Sequence, residues 1–474
     1  MNIRLIMKNT GALTASTTLS RAIAFFVGIL LARYLGPESM GLYAKAYAFV
    51  NIFSYFNELG LSQLMVREGS RDSTKLPLYY GNALLVKAVM VVIVFAVMML
   101  CLAQTGFSWL QCELIIILGV GMALNNINQT VYNYYQTKQN MAAAAGYQFL
   151  EALFIAVLTL GVIFIGGLGV LAVMAAHLAA FALVFILLQL AMRKQVNPVV
   201  DLRKIPRMIG EGLPFGLQRA VNAMIPNASI FVLSLMLVSD AEAGLFRVAQ
   251  SLVVALIFLP NAFASALYPV LFQLGAGDQN QHQEVMEKVF KILAAVGIPG
   301  SFLMWITAPR IIDLLYGAKY ADSAAIFAVL SWYFALECLN YPLGDVLTTK
   351  NRPWQRAVLQ GISLGLLVAL TVWAQSRFGL MGSAWAILAV EAFLFWGYYI
   401  YIRVRMYPIR IWRQLPGVVL ASLAMTGVAW LTLNLHFLIE VSAAAVAYAV
   451  VLFVVDKDLR YLLKKALRRS PEVG

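Results

Sequence analysis

Apolar residues run along this chain in long blocks, and polar residues gather in the short gaps between them. A block of about 20 apolar residues is what a membrane-crossing helix needs. Fourteen blocks reach that length: 12–33, 41–64, 79–103, 112–136, 143–166, 168–192, 209–238, 243–268, 287–308, 322–345, 356–376, 380–402, 414–434 and 437–455. The gaps on one side are tight turns built from glycine, proline and acids, as in YLGPESMG (34–41), GGLG (166–169), SDAEAG (239–244) and RFGLMG (377–382). Such residues punctuate helices. The gaps on the other side are longer and basic. The pattern predicts an all-α polytopic membrane protein of about 14 transmembrane helices.

Composition agrees with that reading. Of 474 residues, 62% are hydrophobic and 12% charged, with a mean hydropathy of +0.80. Soluble domains run at about 45–50% apolar and about 25% charged. Cys101, Cys112 and Cys338 have neither metal-ligand spacing nor a disulfide framework, and read as packing residues. His177 lies within an apolar run, where a bond between helices is its expected role. No metal, catalytic group or cofactor is expected. Arg4 and Lys8 precede an apolar stretch too long for a signal peptide, so that stretch reads as a retained first span.

The net charge of +13 matters through its distribution. When loops are assigned alternately to two sides, 26 basic residues fall on one side and 4 on the other, namely Arg33, Arg310, Lys319 and Arg377. Basic loops stay in the cytoplasm. Both termini are therefore expected there, with basic loops held against anionic headgroups. The basic balance thus needs no nucleic-acid partner. No loop is long enough for a separate folded domain. The longest, about 269–286, is patterned as helix.

Five basic residues remain, all inside spans: Arg21, Lys45, Lys87, Arg219 and Arg247. Their positions suggest an internal repeat. LSRA (19–22) in span 1 matches LQRA (217–220) in span 7. GLYAK (41–45) opens span 2, and GLFR (244–247) opens span 8. A period of six spans is even, so the copies enter the membrane in the same direction, as in transporters made of two parallel bundles. The expected organisation is an N-lobe at 1–208, a C-lobe at 209–405, and a segment 406–474 holding spans 13 and 14 and a basic cytoplasmic tail.

A cation in hydrocarbon is costly, so each needs a partner or a polar cavity. Arg21 lies about 13 Å along its helix at 1.5 Å per residue. Arg21, Lys45, Arg219 and Arg247 are expected to line a central cavity as substrate-binding residues. Glu58, Lys87, Glu151, Glu211 and Glu337 are candidates for ion coupling or structural pairing, with Glu58 and Lys87 at similar depths on neighbouring spans. Pro214 and Pro226 flank Arg219, and proline kinks a helix. Span 7 is therefore the expected hinge. A cavity lined by Arg and Lys suits an anion, and the guanidinium fork suits phosphate.

The stretch ALTASTTLSRAIAFFVGILLARYLGPESMGLYAKAYAFVNIFSYFNELGLSQLMVRE resembles the N-terminal region of Wzx-type oligosaccharide flippases. These belong to the multidrug/oligosaccharidyl-lipid/polysaccharide (MOP) exporter superfamily. LLYGAKYADSA (314–324) is similar to that family's pattern after span 9. The resemblance implies a non-enzymatic transporter of an undecaprenyl-diphosphate-linked oligosaccharide, such as an O-antigen, capsule or exopolysaccharide unit. It further implies alternating access, a proton or sodium gradient rather than a cofactor, and membrane lipids as partners, together with the polymerase and chain-length proteins of a polysaccharide assembly system.

Three rivals are weaker or harder to separate. A multidrug antiporter of the superfamily carries an acid in its first helix, where this chain carries Arg21. A flippase for the peptidoglycan precursor lipid II would share the fold and a cationic cavity. A polysaccharide polymerase or ligase would need a large outer loop, and this chain has none.

Overall fold

The computed structural model describes the backbone of residues 3–276, 279–433 and 435–456. The side chains of Arg4 and Lys8 and the six basic residues of the 457–474 tail, all part of the charge count, lie outside the described residues. Thirteen α-helices follow one another: α1 (Ile3–Ser54), α2 (Leu61–Arg71), α3 (Leu76–Ala103), α4 (Trp109–Thr137), α5 (Met141–Ile165), α6 (Val170–Met192), α7 (Ile205–Leu235), α8 (Asp240–Ala276), α9 (Gln279–Tyr316), α10 (Ser323–Thr349), α11 (Pro353–Arg405), α12 (Pro416–Leu431) and α13 (Phe437–Val455). No strand occurs among the described residues.

Ten described helices are long and apolar enough to cross a membrane, and the apolar stretches Ala223–Leu235 and Pro416–Leu431 are shorter. Two of the long helices are broken. Gly36 (φ 73°) divides α1, and Gly379 (φ 58°) divides α11. Both breaks fall in the turns YLGPESMG and RFGLMG. Glycine adopts this left-handed backbone without penalty, and Pro37 supplies no amide donor to carry the helix across. The protein is an all-α, multi-pass membrane protein.

One element departs from the hydrophobic pattern. The second block was continuous to 64, but α1 ends at Ser54. A 3-10 turn, Tyr55–Glu58, follows, and α2 starts at Leu61. Leu59 (φ 29°) and Gly60 (φ 75°) turn the chain between them. A block average does not register this turn because Leu59, Leu61, Leu64 and Met65 are interleaved with the polar Asn57, Glu58, Ser62 and Gln63. Glu58 consequently lies in the 3-10 turn after the second arm of α1. By contrast α7 runs unbroken through Pro214 and Pro226.

The chain packs as two compact units, Met1–Arg247 and Val248–Gly474. In the first, α1 lies against α4, α5 and α7, and α4 against α6. A core of Met65, Leu76, Tyr80, Tyr132, Tyr134 and Leu188 joins α2 through α6. The start of α4 is fixed by a capping box between Ser108 and Gln111, which satisfies two amides that a helix terminus leaves without intrahelical partners. His177 bonds the Val173 carbonyl at 2.8 Å and meets the Tyr43 hydroxyl at 3.5 Å, joining α6 to α1.

In the second unit α10 lies between α9 and α11, and α12 pairs with α13. Two ion pairs fasten α9 to the C-terminal helices. Arg310 contacts Glu440 on α13, and Lys291 lies 2.7 Å from Asp456, just past the end of α13.

Candidate functional site in the first unit

The arm of α1 after Gly36 carries the chemistry of this unit. At its start two glycines allow the backbones of α1 and α8 to touch. A Cβ on Gly41 would meet the Asp240 carbonyl oxygen at 1.6 Å, and one on Gly244 would meet that of Pro37 at 2.0 Å. These are the glycines that open the matched segments GLYAK and GLFR. Small residues are what let membrane helices approach this closely. Lys45 closes the same contact. Its ammonium lies 2.7 Å from Asp240, whose carboxylate also accepts from Gln111 at 3.3 Å, and it donates to the Val238 carbonyl.

At the far end of the arm a second backbone contact forms. A Cβ on Gly60 would lie 1.9 Å from the Gly212 carbonyl oxygen, and one on Gly216 would lie 2.6 Å from the Gly60 nitrogen. Around it charges are chained. Lys87 reaches Glu58 at 2.8 Å. With its amide oriented to satisfy both ends, Gln63 donates to Glu58 at 3.2 Å and accepts from Arg219. Nearby Arg67 pairs with Glu211 at 3.3 Å and lies over the Phe215 ring, and Glu211 also accepts from Arg207 at 2.9 Å.

Between the two contacts runs a half-buried polar strip. Tyr47, Asn51 and Tyr55 recur at about one helical turn and so share a face. Tyr43 stacks on Tyr47 with centroids 5.6 Å apart. The Tyr55 hydroxyl accepts from Asn227 of α7 at 3.1 Å. The Arg247 guanidinium of α8 acts electrostatically on the hydroxyls of Tyr43, Tyr47 and Tyr55. Glu151, held by Asn125 at 2.7 Å and Tyr132 at 2.8 Å, acts on Tyr47 from α5.

The four cations of the repeat therefore separate. Arg247 is half-buried beside the tyrosines, and Arg219 is exposed on α7 with Gln63 as its bridge to Glu58. Arg21 is exposed on the first arm of α1, a little over one turn from Ser16, which bonds the Ala145 carbonyl at 2.9 Å. Lys45 is only 4% exposed and is spent on Asp240. The physical reason is register. Lys45 stands four residues after Gly41, whereas Arg247 stands three after Gly244, and one residue is about 100° around a helix. Asn227, which donates to Tyr55, is not among the residues the sequence singles out, because a neutral amide within an apolar block carries no charge to mark it.

This is the architecture of the MOP exporters. The sequence profile of polysaccharide biosynthesis proteins matches residues 6–275, and the chain belongs to that family. Among solved structures it is similar to the lipid II flippase MurJ in an inward closed conformation, at 15% identity and a TM-score of 0.79, covering 94% of this chain and 99% of that one. It is also similar to an inward-facing multidrug resistance MATE transporter of the MOP superfamily, at 16% identity and a TM-score of 0.66, covering 80% and 93%. A third likeness, at 14% identity and a TM-score of 0.61 over 83% and 93%, is to a Pyrococcus furiosus MOP transporter whose binding pocket is described as reversed in polarity. No curated protein matches the chain.

Proposed function

We propose that the protein is a flippase that moves an undecaprenyl-diphosphate-linked oligosaccharide from the inner to the outer leaflet of a bacterial inner membrane. It does so by alternating access driven by an ion gradient, with both termini in the cytoplasm. The observation that carries this reading is the half-buried strip of Tyr47, Asn51, Tyr55 and Asn227 beside Arg247, with the exposed Arg219 on α7. Hydroxyls, amides and ring faces suit a sugar, and guanidinium forks suit a diphosphate through charge-assisted bonds. Family membership supports the same class of cargo. Lys45 has no part in this binding set, because its ammonium already holds Asp240.

The test is a flipping assay in proteoliposomes with a defined lipid-linked oligosaccharide. Arg219→Ala and Arg247→Ala should insert normally and lose flipping, while Arg→Lys at either site should recover only part of it. Full activity in both alanine variants overturns the proposal. The likeness to a lipid II flippase over 94% of the chain favours one second reading, transport of the lipid-linked peptidoglycan precursor. Competition between the two lipids in one assay separates the readings.

A further inference from the structure

Glu337 sits half-buried on α10, where Tyr333 donates to it at 3.0 Å. The chemistry that the second unit turns outward lies elsewhere, on the segment that links α11 to α12. That segment is a strap pinned along one face of α9. Gln279 donates to the Met406 carbonyl at 3.2 Å, and Gln283 to the Pro408 carbonyl at 3.0 Å. The Arg410 amide donates to the Glu287 carboxylate at 2.8 Å, and the Tyr407 hydroxyl lies 3.1 Å from His282. Residues 279, 283 and 287 stand one turn apart, so the strap follows the helix. Its side chains alternate. Tyr407, Ile409 and Ile411 are buried in the core of the unit, while Pro408, Arg410 and Trp412 are exposed. Arg410 and Trp412 thus share the outer side of a fixed backbone.

Trp412 lands on an aromatic group near the end of α11. Its ring lies 6.0 Å from that of Phe395, 5.6 Å from that of Trp396 and 5.6 Å from that of Tyr399. The Arg403 guanidinium donates to the Tyr399 hydroxyl at 2.7 Å and so stands beside the same group. Two of its indoles are open, Trp396 at 48% exposure and Trp412 at 43%, and Ile400, one turn after Trp396, is exposed with them. The apolar block of the sequence ends at 402, so these rings stand where the chain leaves hydrocarbon. Tryptophan favours that level of a membrane. Arg403, Arg410 and Arg413 gather there, all exposed, and none forms an ion pair among the described residues. The acids of α9 beside the strap are engaged, Glu287 by the Arg410 amide and Gln283, and Glu284 by Lys288.

We propose that this group is a binding site for an anionic phospholipid of the leaflet it faces, the cytoplasmic one in the orientation proposed above. The lipid phosphate takes the guanidiniums of Arg403, Arg410 and Arg413 through charge-assisted bonds. The indoles of Trp396 and Trp412 lie at the glycerol level, and an acyl chain runs beside Ile400. The first unit supplies the comparison. There the strap after α6 is pinned to the start of α3, with the Val199 amide on the Pro77 carbonyl at 3.1 Å and the Asp201 amide on Asn82 at 2.9 Å. That strap is also basic, but residues 193–204 include no aromatic ring, and Lys204 is paired with Asp201 at 3.3 Å. It attracts headgroups without a seat for one lipid. The rings and the fixed backbone are what turn a diffuse attraction into a site in the second unit.

Native mass spectrometry of the full chain in detergent, with phosphatidylglycerol or phosphatidylcholine added, reads the site directly. Phosphatidylglycerol should bind the more tightly, and Arg403→Gln with Arg413→Gln should weaken it roughly tenfold. Arg193→Gln with Lys194→Gln removes the same charge from the other strap and should leave it unchanged. In vesicles, brominated phosphatidylglycerol should quench tryptophan fluorescence more than brominated phosphatidylcholine. Trp396→Phe with Trp412→Phe should remove that excess. Equal weakening by the two double arginine and lysine variants reduces the site to diffuse charge and overturns it, as does equal binding of the two lipids. Displacement of phosphatidylglycerol by an equal concentration of soluble glycerol phosphate overturns the lipid assignment in favour of a free anion. Excess quenching that survives the loss of both indoles places the lipid elsewhere and overturns the site.

Discussion

Lys45 of α1 and Asp240 of α8 lie 2.7 Å apart, and the backbones beside them touch through Gly41 and Gly244. The ion pair and the glycine contact are one structure. The missing side chains bring the helices close enough for a lysine to reach across, and Gln111 of α4 holds the carboxylate from a third side.

Breaking this pair should be costly on one side only. Lys45→Ala leaves Asp240 29% exposed, so water recovers part of its solvation. Asp240→Ala leaves an ammonium 5% exposed with only a carbonyl and no counter-charge. Loss of one partner of a buried pair costs about 3–5 kcal/mol. Asp240→Ala should approach that range in detergent unfolding, and Lys45→Ala should fall below it. The double variant Lys45→Met with Asp240→Leu should recover stability. Equal costs for the two single variants would count against the asymmetry.

The glycines should tolerate nothing larger. Alanine at Gly244 places a methyl where the Pro37 carbonyl stands, and alanine at Gly60 adds a left-handed backbone to a clash with Gly212. Gly60→Ala is therefore expected to be the worse of the two. Thermal unfolding of the purified variants gives the order, and Gly146→Ala, with nothing within 4 Å of its Cβ, is the control. An unchanged melting temperature for Gly60→Ala would show that α2 and α7 separate freely.

Much of this was readable beforehand, and the limits have physical causes. The turns at Gly36 and Gly379 were visible because glycine and proline stand where the apolar blocks stop. The segments GLYAK and GLFR, matched in the sequence, carry Gly41 and Gly244, which the fold sets against each other's helices. The separate fates of Lys45 and Arg247 were hidden in an offset of one residue, which a match of short motifs tolerates and a helix face does not. Asp240 looked like a solvated turn acid, since nothing local reveals a lysine 195 positions away. Gln63 could not be found at all, because a neutral amide between two charges leaves no mark in hydropathy or net charge.

The C-terminal helices offer a further test. Arg310 and Lys291, on one helix, hold Glu440 and Asp456 at the two ends of α13. Glu440 has no exposed side-chain surface. Arg310→Ala should therefore loosen α13 more than a surface pair would suggest, since exposed pairs are worth about 0–1 kcal/mol. Limited proteolysis near residues 432–436 should quicken in Arg310→Ala, and Glu440→Gln should reverse part of the effect when added to it. Unchanged proteolysis would mean that apolar packing of α12 and α13 suffices.

The last prediction concerns pH. His282, at the start of α9 and outside the expected span 9, has no exposed surface. Thr349 Oγ1 donates to the Asp345 carbonyl at 2.8 Å, so it accepts from His282 Nε2, 3.0 Å away. Nδ1 is left to accept from the Tyr407 hydroxyl at 3.1 Å. The neutral ring thus joins α9, α10 and the segment after α11, and both of its nitrogens are satisfied. Burial first, and the nearby Lys350 charge second, lower its pKa from 6.5 to about 4. A depressed histidine is protonated in the unfolded chain before it is protonated in the folded one. Its contribution is therefore fully present above pH 6.5 and is lost as pH falls from 6.5 toward 4. The slope in that window approaches about 1.4 kcal/mol per pH unit. His282→Gln should be less stable than the wild type at neutral pH, where the ring's bonds are lost. Its stability should nonetheless fall less steeply with acid, so the two curves converge. Parallel curves across the window would show that other groups set the acid sensitivity of this end of the second unit.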